Sequence, residues 1–149
     1  MLKLIIGGVV LFGLCACGSG GDDSAAHHHG SGIPADANFS NEAVTEGGTW
    51  TVTYQTTPEA IALSENFSLL VSVSTEEGPA DGASLTLEGS MPAHDHAMNT
   101  DPIVTPNGDG TFTVDGMLFH MTGHWRIDVN IESPGQPAER AWFDITCCS

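Results

Sequence analysis

Three features of the sequence predict an all-β fold, an immunoglobulin-like antiparallel β-sandwich of about seven strands. Apolar residues recur at every second position, short apolar runs are separated by Gly, Pro, Asn and Asp clusters, and no stretch sustains a helical period. Alternate side chains of an extended chain point to opposite faces, so each run offers one apolar face to a core. Trp50, Val52 and Tyr54 alternate with threonines, and Phe67, Leu69, Val71 and Val73 alternate mostly with Ser. Leu85 and Leu87 form the next run. Phe112 and Val114 follow the turn Pro106-Asn107-Gly108-Asp109-Gly110, where glycine tolerates positive φ. Its acids lack the distal glutamate of an EF-hand, which favours a plain turn over a calcium loop. Trp125, Ile127, Val129 and Ile131 alternate with polar residues, and Ala141, Phe143 and Ile145 close the set.

Composition agrees with one small domain. The 149 residues are 40% hydrophobic and 15% charged, enough apolar material for a core. With 19 Asp and Glu against 3 Lys and Arg the formal charge is -16. Nucleic acid is thereby excluded as a partner, because neutralising phosphates takes clustered cations.

The first residues read as a targeting segment. Lys3 precedes an apolar run, Leu4 to Leu14, too short to span a bilayer permanently. Leu14-Cys15-Ala16-Cys17 resembles a bacterial lipobox, which makes residues 1–16 a signal peptide and Cys17 the lipidated first residue of the mature chain. Removing 16 residues from 149 leaves 133, and without Lys3 the balance is 2 cations against 19 acids, or -17. Gly18 follows the cysteine, and without an Asp there the lipobox resemblance implies the outer membrane, facing the periplasm. Residues 17–38 are small and polar, a tether for a domain spanning 39–149. His27-His28-His29 lies within this tether, where three imidazoles either capture a transition metal weakly or serve as spacer.

No nucleophile elbow, phosphate-cradling glycine loop or zinc-protease helix is present in the sequence, and a non-enzyme is expected. Chemistry concentrates instead in two stretches. In Met91-Pro92-Ala93-His94-Asp95-His96-Ala97-Met98, the residues His94, His96 and Met98 alternate, so in an extended segment they point the same way, about 6.5–7 Å apart. Met117-Leu118-Phe119-His120-Met121-Thr122-Gly123-His124-Trp125 adds His120, His124, Met117 and Met121. If the fold brings the stretches together, His94, His96, Met98, Met121, His120 and His124 form a mixed imidazole and thioether set. Thioether is soft and favours Cu(I), whereas imidazole also suits Cu(II), so a copper ion is the expected cofactor. The alternative is that Met91, Met117 and Met121 fill the core and the histidines are loop residues. Gly123 and Trp125 read as structural, a glycine for close approach and an aromatic anchor.

These stretches, with Gly82-Ala83-Ser84-Leu85, Pro102-Ile103-Val104 and Gly110-Thr111-Phe112, resemble the YtkA-like domain, a family of small exported β-sandwiches similar to the periplasmic part of FixH. The likeness covers roughly Phe67 to Ile145. It rests on Met-Pro-x-His-x-His and Phe-x-Met-x-Gly-x-Trp, with Ala97 where many members have Gly. It implies an accessory in copper handling or cytochrome-oxidase assembly, with His94, His96 and Met121 as the motif positions.

Cys147-Cys148 ends the last run. Adjacent Cα atoms stand about 3.8 Å apart, below the usual disulfide range. A vicinal bridge, an intermolecular bridge, a second soft-metal site of two thiols, or a ragged tail are the readings the sequence leaves open. Two functions follow for the chain: a lipid-tethered extracytoplasmic metal-binding module, or a structural sandwich that binds an envelope protein partner.

Overall fold

A computed structural model describes residues 32–148; the signal peptide, Cys17, His27-His28-His29 and Ser149 lie outside the described residues. Within them the chain forms two antiparallel sheets and no helix. The first sheet contains β1 (Glu42–Val44), β2 (Thr51–Thr57), β3 (Asn66–Thr75), β4 (Gly78–Pro79), β7 (Ile103–Pro106) and β8 (Thr111–Leu118). Its order is β1-β2-β3-β8-β7, with β4 paired to β3. The second contains β5 (Ser84–Met91), β6 (His96–Ala97), β9 (Gly123–Glu132) and β10 (Glu139–Cys147), in the order β10-β9-β5-β6.

The long strands are those the alternation predicts. The ten strands comprise six long ones and four short edge pieces, β1, β4, β6 and β7, which have two to four residues and leave no readable period. Val52, Leu69, Val71, Val73, Phe112 and Val114 line the inner face of one sheet. Leu85, Leu87, Trp125, Ile127, Val129, Ile131, Ala141 and Phe143 line that of the other, all buried. Each of the Val, Leu, Ile and Phe side chains among them contributes about 1.5–3 kcal/mol on burial.

Strict alternation fails once, in β8. Val114 and Met117 are three apart, yet both face the core, because the pairing with β3 shifts register between Phe67 and Leu69. Gly116, at φ 83°, falls in this irregularity and supplies the backbone conformation a bulge needs. The new phase carries inward to Phe119, which is fully buried. It thereby sets the direction of the segment that follows.

The turn at 106–110 closes the β7–β8 hairpin, with the Asn107 N–H donating to the Thr111 carbonyl. Asp109 accepts from the backbone and hydroxyl of Thr111 at 3.1 and 2.6 Å. Those bonds hold its carboxyl below the usual range and occupy it, as a plain turn requires. At the C-terminal end of the described residues, Cys147 belongs to a strand and not to a ragged tail. β10 runs to Cys147, which is buried opposite Gly123, and Cys147 and Cys148 are joined as a vicinal disulfide. In this oxidised state neither sulfur is a free thiolate.

Candidate metal centre

The two His and Met stretches meet at one end of the sandwich. Buried Met91 ends β5, and the chain reverses through Pro92–Asp95 so that His96 in β6 stands opposite Met91. The His94 N–H donates to the Met91 carbonyl at 3.0 Å, closing a turn, and Asp95 adopts φ 52°. Asp tolerates that left-handed conformation because its short side chain bonds locally. His94 thus lies in a turn and not on the extended segment expected for it. Alternation survives only between His96 and Met98. The two imidazoles converge all the same: both are exposed, their centroids 6.1 Å apart and their planes inclined by 28°.

Met121 arrives from the connection between β8 and β9. Buried Phe119 stacks on Trp125 at 4.6 Å with planes inclined by 13°. The Trp125 indole N–H donates to the Met121 carbonyl at 2.9 Å. Gly123 has φ 125°, and a Cβ on it would stand 3.3 Å from Met91 Cε. Each residue of Phe-x-Met-x-Gly-x-Trp therefore either builds the loop that presents Met121 or joins it to the first motif. The outcome is a contact of 3.3 Å between His96 Nδ1 and Met121 Sδ.

This donor geometry fits a single ion. Metal–nitrogen bonds of about 2 Å and metal–sulfur bonds of about 2.3 Å put nitrogen and sulfur roughly 3.3–3.5 Å apart when both bind one ion. Two imidazoles on one ion place their centroids roughly 5–6.5 Å apart by the same bond lengths. The His96 to Met121 contact meets the first spacing, and the His94 to His96 ring separation meets the second. Among the described residues no group of three or more His, Cys, Asp or Glu side chains is placed to hold a metal.

The other expected ligands make contacts of their own. Met98 is half-buried over Gly89, where its Sδ would lie 2.8 Å from a Cβ, and its N–H donates to the Gly89 carbonyl. It helps line a cleft of about 430 Å³ with Glu88, Asp101 and Asp128. Burial holds the Asp128 carboxyl above the usual range. His120 packs edge-on against Trp125 at 5.3 Å. His124 lies beside inward-facing Trp125 in β9 and so faces outward, with Nε2 at 2.6 Å from Asp144 Oδ1.

What His124 joins is a network the sequence does not announce. The Asp144 side chain is 0% exposed and accepts from Arg126 Nε at 3.0 Å and from the Asn38 N–H at 2.6 Å. Arg126 also makes paired bonds to Asp36, at 3.0 and 3.2 Å. Burial opposes the Arg126 charge, but the hydrogen bonds to Asp36 and Asp144 outweigh it and hold the guanidinium above its usual value. The Arg126 bond likewise holds Asp36 below the usual carboxylate range. Trp142 donates its indole N–H to the Asp36 carbonyl. Residues 36–38, the end of the expected tether, are thus bonded to the outer face of the second sheet. Arg126 and Asp144 face each other across β9 and β10, a juxtaposition visible only once the register is known.

Comparison with known proteins matches the fold. The structure is similar to a copper-bound variant of FetP from uropathogenic Escherichia coli strain F11. The TM-score is 0.50 at 9% identity, covering 76% of this chain and 97% of that one, a likeness of fold alone. No curated protein matches the sequence. The model of the YtkA-like family matches residues 44–130, which takes in both motifs and the strands that carry them. With more than half of its length so matched, and with Met91 of one motif packed on Gly123 of the other, the chain belongs to the YtkA-like family.

Proposed function

We propose that this protein is a non-enzymatic metal-binding module that holds copper, preferentially Cu(I), between His94, His96 and Met121. The observation that carries the reading is the 3.3 Å approach of His96 Nδ1 to Met121 Sδ, which joins two motifs 25 residues apart. Two imidazoles and a thioether suit a soft monovalent ion better than zinc, which prefers thiolate or carboxylate beside imidazole. The copper-bound state of the structurally similar FetP variant supports copper as the metal to test first. Both histidines lie exposed on a rim, where an ion exchanges readily with a partner. The formal charge of -16 raises the local concentration of any cation. In this reading Cys17 carries lipid, residues 18–35 form the reach, and the domain works outside the cytoplasm at the outer membrane as an accessory in metal handling.

Titration of the purified chain with Cu(I) against a competing chromophoric chelator tests the site. A His94→Ala, His96→Ala double variant and a Met121→Leu variant, the latter conserving volume, are each expected to bind at least tenfold more weakly. Equal affinity in all three proteins would overturn the assignment.

A further inference from the structure

We propose that the segment from Gly32 to Asn38 is a strap that positions His94. Latched to the outer face of the second sheet at Asp36 and Asn38, it seats Gly32 on Ala93 and so holds the Pro92–Asp95 turn that carries the His94 ring beside His96. The inference rests on the copper reading and deepens it, since it gives the site positioning residues and adds no ligand.

His94 is the donor that the strands themselves do not hold. His96 belongs to β6 and touches Met121, whose carbonyl is bound by the Trp125 indole. His94 lies in a turn whose four residues, Pro92 to Asp95, are all exposed, and the bond that closes it is its own N–H on the Met91 carbonyl. Exposed turns open locally at little free-energy cost, so the 6.1 Å between the two rings persists only if something outside the hairpin bears on the turn. Gly32 does so. A Cβ placed on Gly32 would collide with the Cβ of Ala93 and stand 3.3 Å from its Cα, so the strap backbone lies directly against the residue before His94. Any side chain at position 32 would push the two segments apart.

The other end of the strap is fixed on β9 and β10. Asp36 accepts from both terminal nitrogens of Arg126, at 3.0 and 3.2 Å, a planar fork that sets direction as well as distance. The Asp36 carbonyl accepts from the Trp142 indole at 2.9 Å. The Asn38 N–H donates to Asp144 Oδ2 at 2.6 Å, and the Asp144 N–H donates to the Asn38 carbonyl at 2.7 Å. Neighbouring strands stand about 4.8 Å apart, so passing from β9 over β5 to the β5–β6 turn takes roughly 5–10 Å. Four residue steps from Asp36 to Gly32 reach at most about 14 Å. The Ala37 N–H bond to the Pro34 carbonyl folds the segment into a turn and shortens that reach. Little slack is left, and a movement at the latch is felt at Ala93. If releasing the strap left the turn in its ligating position for about a tenth of the time, apparent affinity would fall about tenfold, in proportion to the competent fraction.

The test titrates full-length chains purified in detergent with Cu(I) against a chromophoric chelator. Wild type and a His94→Ala chain are each compared with and without Gly32→Ala, which drives a methyl into Ala93 and leaves the latch untouched. Where His94 is present, Gly32→Ala should weaken binding about fivefold or more; in the His94→Ala chain it should change nothing, because the strap acts only through that ring. A Gly32→Ala, Ala93→Gly variant, which moves the methyl from one side of the contact to the other, should recover most of the lost affinity. Asp36→Ala, which opens the latch, should weaken binding in the same sense as Gly32→Ala. Wild-type affinity in either Gly32→Ala or Asp36→Ala, beside a weakened His94→Ala chain, overturns the strap and leaves the site standing. An equal loss from Gly32→Ala in both backgrounds also overturns it, since the segment would then support the fold at large. Wild-type affinity in the His94→Ala, His96→Ala double variant overturns the copper reading and the strap with it.

Discussion

Gly123 illustrates how one residue ties the two motifs together. Its φ of 125° lies where an L side chain is strained, and any Cβ would press on Met91 Cε at 3.3 Å. A Gly123→Ala variant is therefore expected to lose roughly 1–3 kcal/mol of stability, measured by urea unfolding. It should also weaken Cu(I) binding, because the strain falls between Met121 and the strand that follows. Unchanged stability would mean that the backbone at 123 relaxes without cost. Met121 itself was legible as a candidate from its chemistry, whereas the partner it touches was not. The period of a strand places His94 and His96 on one side, but a turn at Met91–His94 removes His94 from the strand and returns its ring by another route.

At the scale of elements, β9 and β10 carry a polar network on the face opposite the core. Asp144 is buried among Arg126, His124 and the Asn38 N–H, so deleting its carboxylate leaves a largely buried cation short of a partner. The expected cost of Asp144→Ala is about 3 kcal/mol, again by urea unfolding, since breaking one half of a buried pair is far more damaging than never having built it. A cost below about 1 kcal/mol would show that Asp36 alone compensates Arg126. The strands themselves were readable from alternation because each buries one face. The short edge strands were not, since two to four residues define no period, and neither was the bulge at Gly116 that turns Met117 and Phe119 inward. The contact of His124 with Asp144 was not legible for a related reason: His124 neighbours inward-facing Trp125 in β9, and neighbours along a strand face opposite ways.

For the molecule as a whole, pH acts through carboxylates that the fold has shifted in both directions. Hydrogen bonds from Thr45 and Thr49 hold Glu139 below the usual carboxylate range, so its ionised form favours the folded state. That contribution is complete above the ordinary value and is lost as pH falls through the depressed one. Asp36, lowered by Arg126, behaves in the same sense. Asp128, raised chiefly by burial, behaves in the opposite sense: its contribution is present in acid and disappears as pH rises through its elevated value. A Glu139→Gln variant should therefore be less stable than wild type at pH 7 and converge with it in acid, in Tm followed against pH. A gap that stays constant across the range would refute the Glu139 linkage.

The sequence by itself determined the fold class, the long strands, the acidic charge balance and the residue types of the candidate site. It did so because alternation, turn chemistry and donor softness are local properties written in neighbouring residues. Tertiary structure alone decided which donors meet. His96 reaches Met121, Met98 turns to Gly89, His124 turns to Asp144, and Gly32 lies against Ala93. Each of these depends on register, on a bulge or on the contact of segments far apart in the chain, and no local pattern encodes such distances.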